Sequence, residues 1–269
     1  MAQTILITGA STGIGKATAE VFRDKGWNVV ATMRRPEGSD LTGETMLVTR
    51  LDVTDPASVA AAVTAGLARF GQIDALVNNA GYGAVGPLEA FSTDQIRRQF
   101  DTNVMGLLEV TRAVLPLFRK QKSGVLVNIS SVGGRMTFPF FSLYHGTKFA
   151  VEGITEALSW EMGTFGGRAK IVEPGAIKTD FGGRSMEFVN NAEMTEYQPM
   201  IGKLMDGFAQ MAGQSSEPGV VADVIFGAVT DGTDQLRYTA GEDARALMAN
   251  RSSLDDAGFM AGIRARFGL

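Results

Sequence analysis

Short β-branched runs alternate with longer amphipathic ones along most of the chain, and that alternation limits the fold more than any single motif. Thr4–Thr8 (TILIT), Asn28–Met33 (NVVATM), Met46–Asp52 (MLVTRLD), Ala75–Asn78 (ALVN), Val125–Ile129 (VLVNI) and Lys170–Glu173 (KIVE) read as strands, with Leu236–Thr239 a weaker seventh. Most lack a clean polar alternation, as parallel strands covered on both faces do. Helical patterns fall between them at Ile14–Lys25, Pro56–Phe70, Thr93–Leu117, Leu143–Thr164 and Pro218–Thr230. Asp55 before Pro56 is a good N-cap followed by a good first helical residue, and Gly26 and Gly71 close the first two helices. The expected class is α/β: a doubly wound, mainly seven-stranded parallel sheet with helices on both faces.

At 269 residues, with no Pro/Ser-rich linker, charge block or repeat, the chain is expected to form one domain over 1–269. A net charge of −4 and a pI near 5.2 exclude a nucleic-acid partner, which needs a basic face. Without cysteine and with a single histidine, disulfides, thiolate metal sites and histidine cages are ruled out, and no carboxylate spacing suggests a metal site. The start of the chain runs directly into a strand and no stretch reaches the roughly 18 apolar residues of a membrane span. A cytoplasmic protein is the expectation. Residues 176–217 contain no convincing strand but carry Met186, Met194, Met200, Met205, Met211, Phe181, Phe188 and Phe208. The segment follows a strand end, on the edge where open α/β sheets bind ligands, and is expected to act as a substrate lid. Two short helices packed on the body are the alternative.

Thr8-Gly9-Ala10-Ser11-Thr12-Gly13-Ile14-Gly15 follows the first strand and opens the first helix. Gly9 permits a tight turn, Gly13 lets backbone approach a pyrophosphate and Gly15 brings helix close to sheet, while the helix N-terminus offers N–H groups to phosphates. The spacing is G-x-x-x-G-x-G rather than G-x-G-x-x-G. A P-loop is excluded, since Ala10 and Ala17 stand where a glycine and a Ser/Thr belong. A G-x-S-x-G nucleophile turn at Ser11, with His145 downstream, is the rival, but it would fall on the first strand and no HGGG-like oxyanion motif accompanies it.

Downstream, Tyr144 follows Ser131 by thirteen positions and Lys148 follows Tyr144 by four. With TGASTGIG at 8–15, LDVT at 51–54, NNAG at 78–81, Asn103 in FDTNVMG, SSVGG at 130–134, YHGTK at 144–148 and PGAIKT at 174–179, the chain resembles the classical short-chain dehydrogenase/reductases over nearly its whole length. ATMRR, SVGGR and the YxxxKFAVEG stretch point to the hydroxysteroid- and retinol-dehydrogenase-like branch. The resemblance implies a Rossmann fold and a role for each matching position. Gly9, Ser11, Thr12, Gly13, Ile14 and Gly15 would cradle the phosphates of a nicotinamide dinucleotide. Asp52 and Val53 would border the adenine, and Asn79 and Gly81 would lie along the ribose and sheet edge. Pro174, Gly175, Ile177 and Thr179 would hold the nicotinamide end, and Asn103 would join a proton relay through water. It also implies dimers or tetramers through the helices at Thr93–Leu117 and Leu143–Thr164.

Tyr144 and Lys148, at i and i+4, share a helix face. A free phenol ionises near pH 10, and a neighbouring ammonium and an oxidised nicotinamide ring are each expected to lower that value. Tyr144 would then exchange a proton with the substrate oxygen, Ser131 would hold that oxygen, and Lys148 would also hold the nicotinamide ribose. His145 points elsewhere and is expected to pack or face solvent. After the second strand stand Met33, Arg34 and Arg35 rather than an acid for a ribose 2′-OH, so NADP(H) is expected over NAD(H); a solvated basic loop is the alternative. The expected function is carbonyl/alcohol interconversion on a bulky apolar small molecule, the size read from the Met/Phe stretch and from Phe138, Phe140 and Phe141. A dinucleotide-binding redox sensor without turnover is the alternative from another class.

Overall fold

The computed structural model describes residues 2–268 apart from 180, 182, 184, 213 and 214, and no side chain over 208–212. Seven strands form one parallel sheet: β1 Thr4–Thr8, β2 Asn28–Met33, β3 Met46–Arg50, β4 Ala75–Asn78, β6 Gly124–Ile129, β7 Gly167–Pro174 and β9 Arg237–Ala240, in the order β3-β2-β1-β4-β6-β7-β9. Successive residues of each strand enter opposite cores. On one face Ile5, Ile7, Val29 and Ala31 pack with Ala19 and Phe22 of α1 (Gly13–Asp24) and with Val221 and Ile225 of α7 (Pro218–Thr230). On the other, Leu6, Val30, Leu76 and Leu126 meet Val59 and Val63 of α2 (Pro56–Phe70), Val110, Val114 and Phe118 of α4 (Gly106–Gln121), and Leu158 and Met162 of α5 (Ser142–Gly163). Each fully buried Val, Leu, Ile, Phe or Met side chain among them contributes about 1.5–3 kcal/mol. Double-sided burial explains why the strand runs lack polar alternation.

Among the buried polar strand residues are two asparagines on neighbouring strands. Asn78 Nδ2 donates to Thr111 Oγ1 and to Asn128 Oδ1, both at 2.9 Å, and Asn128 Nδ2 donates to Thr155 Oγ1 at 2.8 Å. This chain of amides ties β4 and β6 to α4 and α5 beneath the sheet's carboxyl edge. The strand order reverses between β1 and β4, so the crevice above their ends is the place where such a sheet takes a ligand.

Several expectations need correction. The single helix expected over Thr93–Leu117 is three pieces: α3 (Thr93–Phe100), a wide i→i+5 turn at Asp101–Met105, and α4. β3 stops at Arg50, because Asp52 turns the chain: its Oδ1 accepts from Thr54 N (3.0 Å) and Thr54 Oγ1 (2.8 Å). The segment 176–217, expected to lack strand, contributes β8 (Met186–Phe188), which pairs in parallel with β5 (Gly83–Val85). Gln95 Nε2 and Arg98 Nη2 of α3 bind Glu187 of β8, at 2.8 and 2.6 Å, and pin that ribbon. The same segment forms α6 (Gln198–Ala212), whose Leu204 is 1% exposed, whereas Met205 is 46% exposed. The side chains of Phe208 and Met211 lie outside the described residues. Two further helices, α8 (Glu242–Ser253) and α9 (Asp256–Phe267), were not expected from sequence, and Phe259, Ile263 and Phe267 of α9 join the cluster that holds Tyr144 and Leu204.

Candidate active site

The glycine turn lies between β1 and α1 as the sequence requires. Gly9 and Gly13 have φ of +69° and +57°, a region that disfavours any Cβ. A Cβ at Gly15 would stand 2.3 Å from Gly9 O and 2.5 Å from Asn79 Nδ2, so only glycine fits there. Asn79 does not face outward. Its Nδ2 donates to Thr8 O (3.0 Å) and Gly9 O (3.1 Å), and its backbone N donates to Thr8 Oγ1 (3.0 Å). It thereby clamps the turn to the end of β4. No side chain caps α1 at Thr12, so the first N–H groups of the helix stay open to an anion. That uncapped turn of small residues, with Ser11 and Thr12 exposed, fits the pyrophosphate of a dinucleotide.

The loop after β7 closes over the same place. Thr179 Cγ2 lies 3.0 Å from where a Cβ on Gly13 would stand. Ile177 bridges to Ser216, and Ala176 N donates to Asp243 Oδ2 at 2.7 Å. Asp243 presses on Gly175, where a Cβ would fall 2.1 Å from Oδ2. The acid of α8 thus shapes the Pro174–Thr179 loop, and sequence reasoning missed it, because nothing in GEDARALM marks an acid that folds back on a distant loop. Along the other edge Arg34 and Arg35 are exposed and, among the described residues, have no ion-pair partner. Val53 is buried, and Gly81 backs onto Asn103, whose Oδ1 would lie 3.1 Å from a Cβ there.

Ser131, Tyr144 and Lys148 meet at the carboxyl ends of β6 and β7. Ser131 Oγ accepts from Gly133 N (3.0 Å) and donates to Pro174 O (3.5 Å). Lys148 Nζ lies 5.6 Å from the Tyr144 ring centroid and donates to Ile129 O at 2.8 Å. Burial pushes the Tyr144 phenol up to about 12, against a hydrogen bond with Ser131 that favours ionisation. Burial also pulls the Lys148 ammonium down to about 8, with the charge of Glu152 opposing. The expected acidification of the phenol by its lysine is therefore not found in the free chain, where desolvation dominates.

Asn103 occupies the wide turn between α3 and α4. Its Nδ2 donates to Tyr82 O (2.8 Å) and Thr147 Oγ1 (3.1 Å), and its Oδ1 accepts from Tyr82 N (3.0 Å). Thr147 Oγ1 in turn donates to Tyr144 O at 2.7 Å. With both amide hydrogens taken, the side chain fastens Tyr144 to the loop after β4. A wide turn removes one residue from the regular helical ladder, as is frequent at functional sites.

His145 is 3% exposed, stacks on Phe141 at 5.1 Å and accepts from Phe138 N through Nδ1 at 3.2 Å. It packs, as expected, and its engagement there removes the hydrolase reading of Ser11. Around Tyr144 stand Phe181 (5.4 Å) and Phe141 (6.2 Å), with Phe140 held at φ +64°, a costly conformation for so bulky a residue. This wall is apolar and aromatic. Among the described residues no group of three or more acids and histidines is placed to hold a metal, and no helix is long and apolar enough to cross a membrane.

Residues 3–190 match the short chain dehydrogenase family. The chain belongs to that family. An uncharacterized oxidoreductase of Schizosaccharomyces pombe is 43% identical over 239 residues, 88% of this chain and 100% of the relative. Retinol dehydrogenase 8 of Bos taurus is 37% identical over 73% of this chain and 66% of its own length. A crystal structure of a short-chain dehydrogenase from Streptomyces avermitilis superposes with a TM-score of 0.82 at 35% identity, covering 94% of this chain and 92% of that one. ElxO with NADP bound has a TM-score of 0.72 at 27% identity, covering 89% and 98%. The 3-ketoacyl-(acyl-carrier-protein) reductase of Brucella melitensis, complexed with NADH, has a TM-score of 0.74 at 26% identity, covering 88% and 96%. This short-chain dehydrogenase is accordingly an oxidoreductase of CH–OH and carbonyl groups that uses a nicotinamide cofactor.

The buried histidine yields a pH prediction. Burial lowers His145 from its ordinary 6.5 to about 4. The unfolded chain takes up this proton first, so stability is full above about pH 6.5 and is lost as pH falls towards about 4, by about 3 kcal/mol in all. Urea unfolding at both ends of that window should show a loss smaller by about that amount in His145→Gln than in wild type. Identical losses would contradict the assignment.

Proposed function

We propose that this dehydrogenase reduces the carbonyl of a bulky apolar small molecule to an alcohol, reversibly, with NADP(H) preferred to NAD(H). One observation carries the reading: the buried Tyr144 phenol comes together with Ser131 and Lys148 at the sheet's carboxyl edge, Lys148 Nζ lying 5.6 Å from its ring centroid, against an aromatic wall. Ser131 holds the substrate oxygen. Tyr144, neutral in the free chain, donates its proton to that oxygen during reduction and removes it during oxidation. Lys148 adds positive charge beside the phenol and a donor for the nicotinamide ribose. When bound, the nicotinamide ring supplies or accepts the hydride. Its positive oxidised form is the remaining influence able to lower the phenol.

Cofactor preference rests on Arg34 and Arg35, because the solved neighbours carry either NADP or NADH. Exposed guanidiniums at the end of β2 suit a 2′-phosphate by charge and by their planar donor fork. Substrate size rests on the wall of Phe140, Phe141, Phe181 and Leu204, and the relative named a retinol dehydrogenase agrees with it. In this reading the chain is one domain, with 176–217 as its lid: β8 anchors one end of the lid and α6 packs near Tyr144. Self-association runs through α4 and α5, where Phe149 and Trp160 are 45% and 78% exposed. No observation favours a binding-only sensor.

Two variants test the reading against a panel of apolar ketones. Tyr144→Phe should keep fold and cofactor affinity while losing about 10²–10⁴-fold in kcat; near-normal turnover would remove Tyr144 as the proton donor. Wild type should show a higher kcat/KM with NADPH than with NADH, and Arg34→Ala should shrink that ratio about tenfold. Equal use of both cofactors in both proteins would defeat the preference.

A further inference from the structure

Among the described residues Lys148 Nζ donates to one acceptor, the neutral carbonyl of Ile129, and no carboxylate stands within ion-pair distance of it. An ammonium buried among neutral groups sheds its proton easily. One acid is placed to resist that. Glu152 follows Lys148 by four residues on α5, so the two share a helix face. It is no stray surface acid, since its side chain is 6% exposed.

Three other elements build around Glu152. Arg237 of β9 donates through Nε to Oε2 at 2.9 Å, and through Nη2 to Glu156 at 2.6 Å. Glu173 of β7, 1% exposed, lies 3.8 Å from the same Arg237 Nε and accepts from Arg135 Nη1 at 3.2 Å. Arg135 follows the Val132–Gly134 turn that Ser131 opens. Gly134 lets these parts close: a Cβ there would stand 2.5 Å from Ser130 Oγ, 2.9 Å from Glu152 Cγ and 3.1 Å from Lys148 O. Ser130 Oγ and Glu152 Oε1 are both buried and lack a hydrogen-bond partner among the described residues. A buried carboxylate left with an unpaired oxygen is costly for stability alone, and an apolar pair would do as well there.

We propose that Glu152 is a positioning residue for Lys148: oriented by Arg237, its carboxylate supplies the negative charge that keeps the buried ammonium charged beside Tyr144. The inference rests on the role given to Lys148 above. The other titratable and charged groups on the elements packed here are Tyr144, His145 and Glu156 from α5, Glu173 and Lys170 from β7, Arg135 from the turn after β6 and Arg237 from β9. Lys170 is bound to Asp231 and to Tyr238 OH, Glu156 is half exposed, and Glu173 is turned to Arg135 and Thr239. Glu152 alone of these acids is buried on the lysine's own helix face, one turn away, with Oε1 unpaired while Oε2 is held by Arg237.

NMR of the Lys148 ¹³Cε signal against pH, assigned by its loss in Lys148→Arg, tests this without turnover. In the wild-type chain the signal should titrate above neutrality. Glu152→Gln should move the midpoint down by about one pH unit, roughly a tenfold smaller ratio of ammonium to amine, and Glu152→Asp should restore most of it. A purely structural role would lower Tm and leave the midpoint in place. A midpoint unmoved by Glu152→Gln overturns the proposal, and so does a wild-type Lys148 already neutral at neutral pH, a result that needs no variant. A chain that turned over no carbonyl would sink the functional reading and leave this titration to decide on Glu152 by itself.

Discussion

Burial of a phenol and an ammonium side by side is the constraint on which the site depends. Desolvation works in opposite directions on the two groups, holding the Tyr144 proton on and easing the Lys148 proton off. Left alone, such a pair would drift towards two neutral groups. A set of charges from α5, β7, β9 and the turn after β6 stands immediately behind it. Exposed ion pairs elsewhere, such as Arg168 with Asp234, contribute little by comparison, because water screens them.

On the other sides of this pair the chain mostly uses uncharged fasteners. Asn79 clamps the glycine turn to β4, Asn103 and Thr147 fix Tyr144 to the loop after β4, and Asn78 with Asn128 ties sheet to helices below. Apart from the Thr147 hydroxyl, each is a side-chain amide that donates to a neighbouring element. In a core this apolar, a buried amide is costly unless its donors are paired, so these bonds favour one arrangement. Asp243 does the same for the Pro174–Thr179 loop from the far end of the chain. The glycine turn, the Pro174–Thr179 loop and the Ser131, Tyr144 and Lys148 trio are thus braced from different elements, as rigid support of a site requires.

The sheet was legible because double-sided burial writes itself as continuous apolar runs, as in TILIT and ALVN. The glycine turn and the order of Ser131, Tyr144 and Lys148 were legible for another reason: their spacing is local. What escaped was set by tertiary contact. The i→i+5 turn at Asp101–Met105 reads as plain helix, since its wide register is imposed by Asn103 reaching across to Tyr82. The three-residue strands Gly83–Val85 and Met186–Phe188 exist only by pairing with each other. The weakly amphipathic run EDARALMANRSS hid a helix. Glu152 was within reach, lying one turn after Lys148, but its burial was not. The acidity of Tyr144 was misjudged likewise, because charge is visible in a sequence and desolvation is not.

The most direct test is the ionisation of Tyr144 itself, followed as the tyrosinate difference spectrum between wild type and Tyr144→Phe across alkaline pH. In the free chain the phenol should stay protonated well past the ordinary tyrosine value, with a midpoint at about 12, and addition of the oxidised cofactor should bring that midpoint down. A phenol already ionised near neutrality in the free chain, or a midpoint the cofactor leaves untouched, would contradict the account.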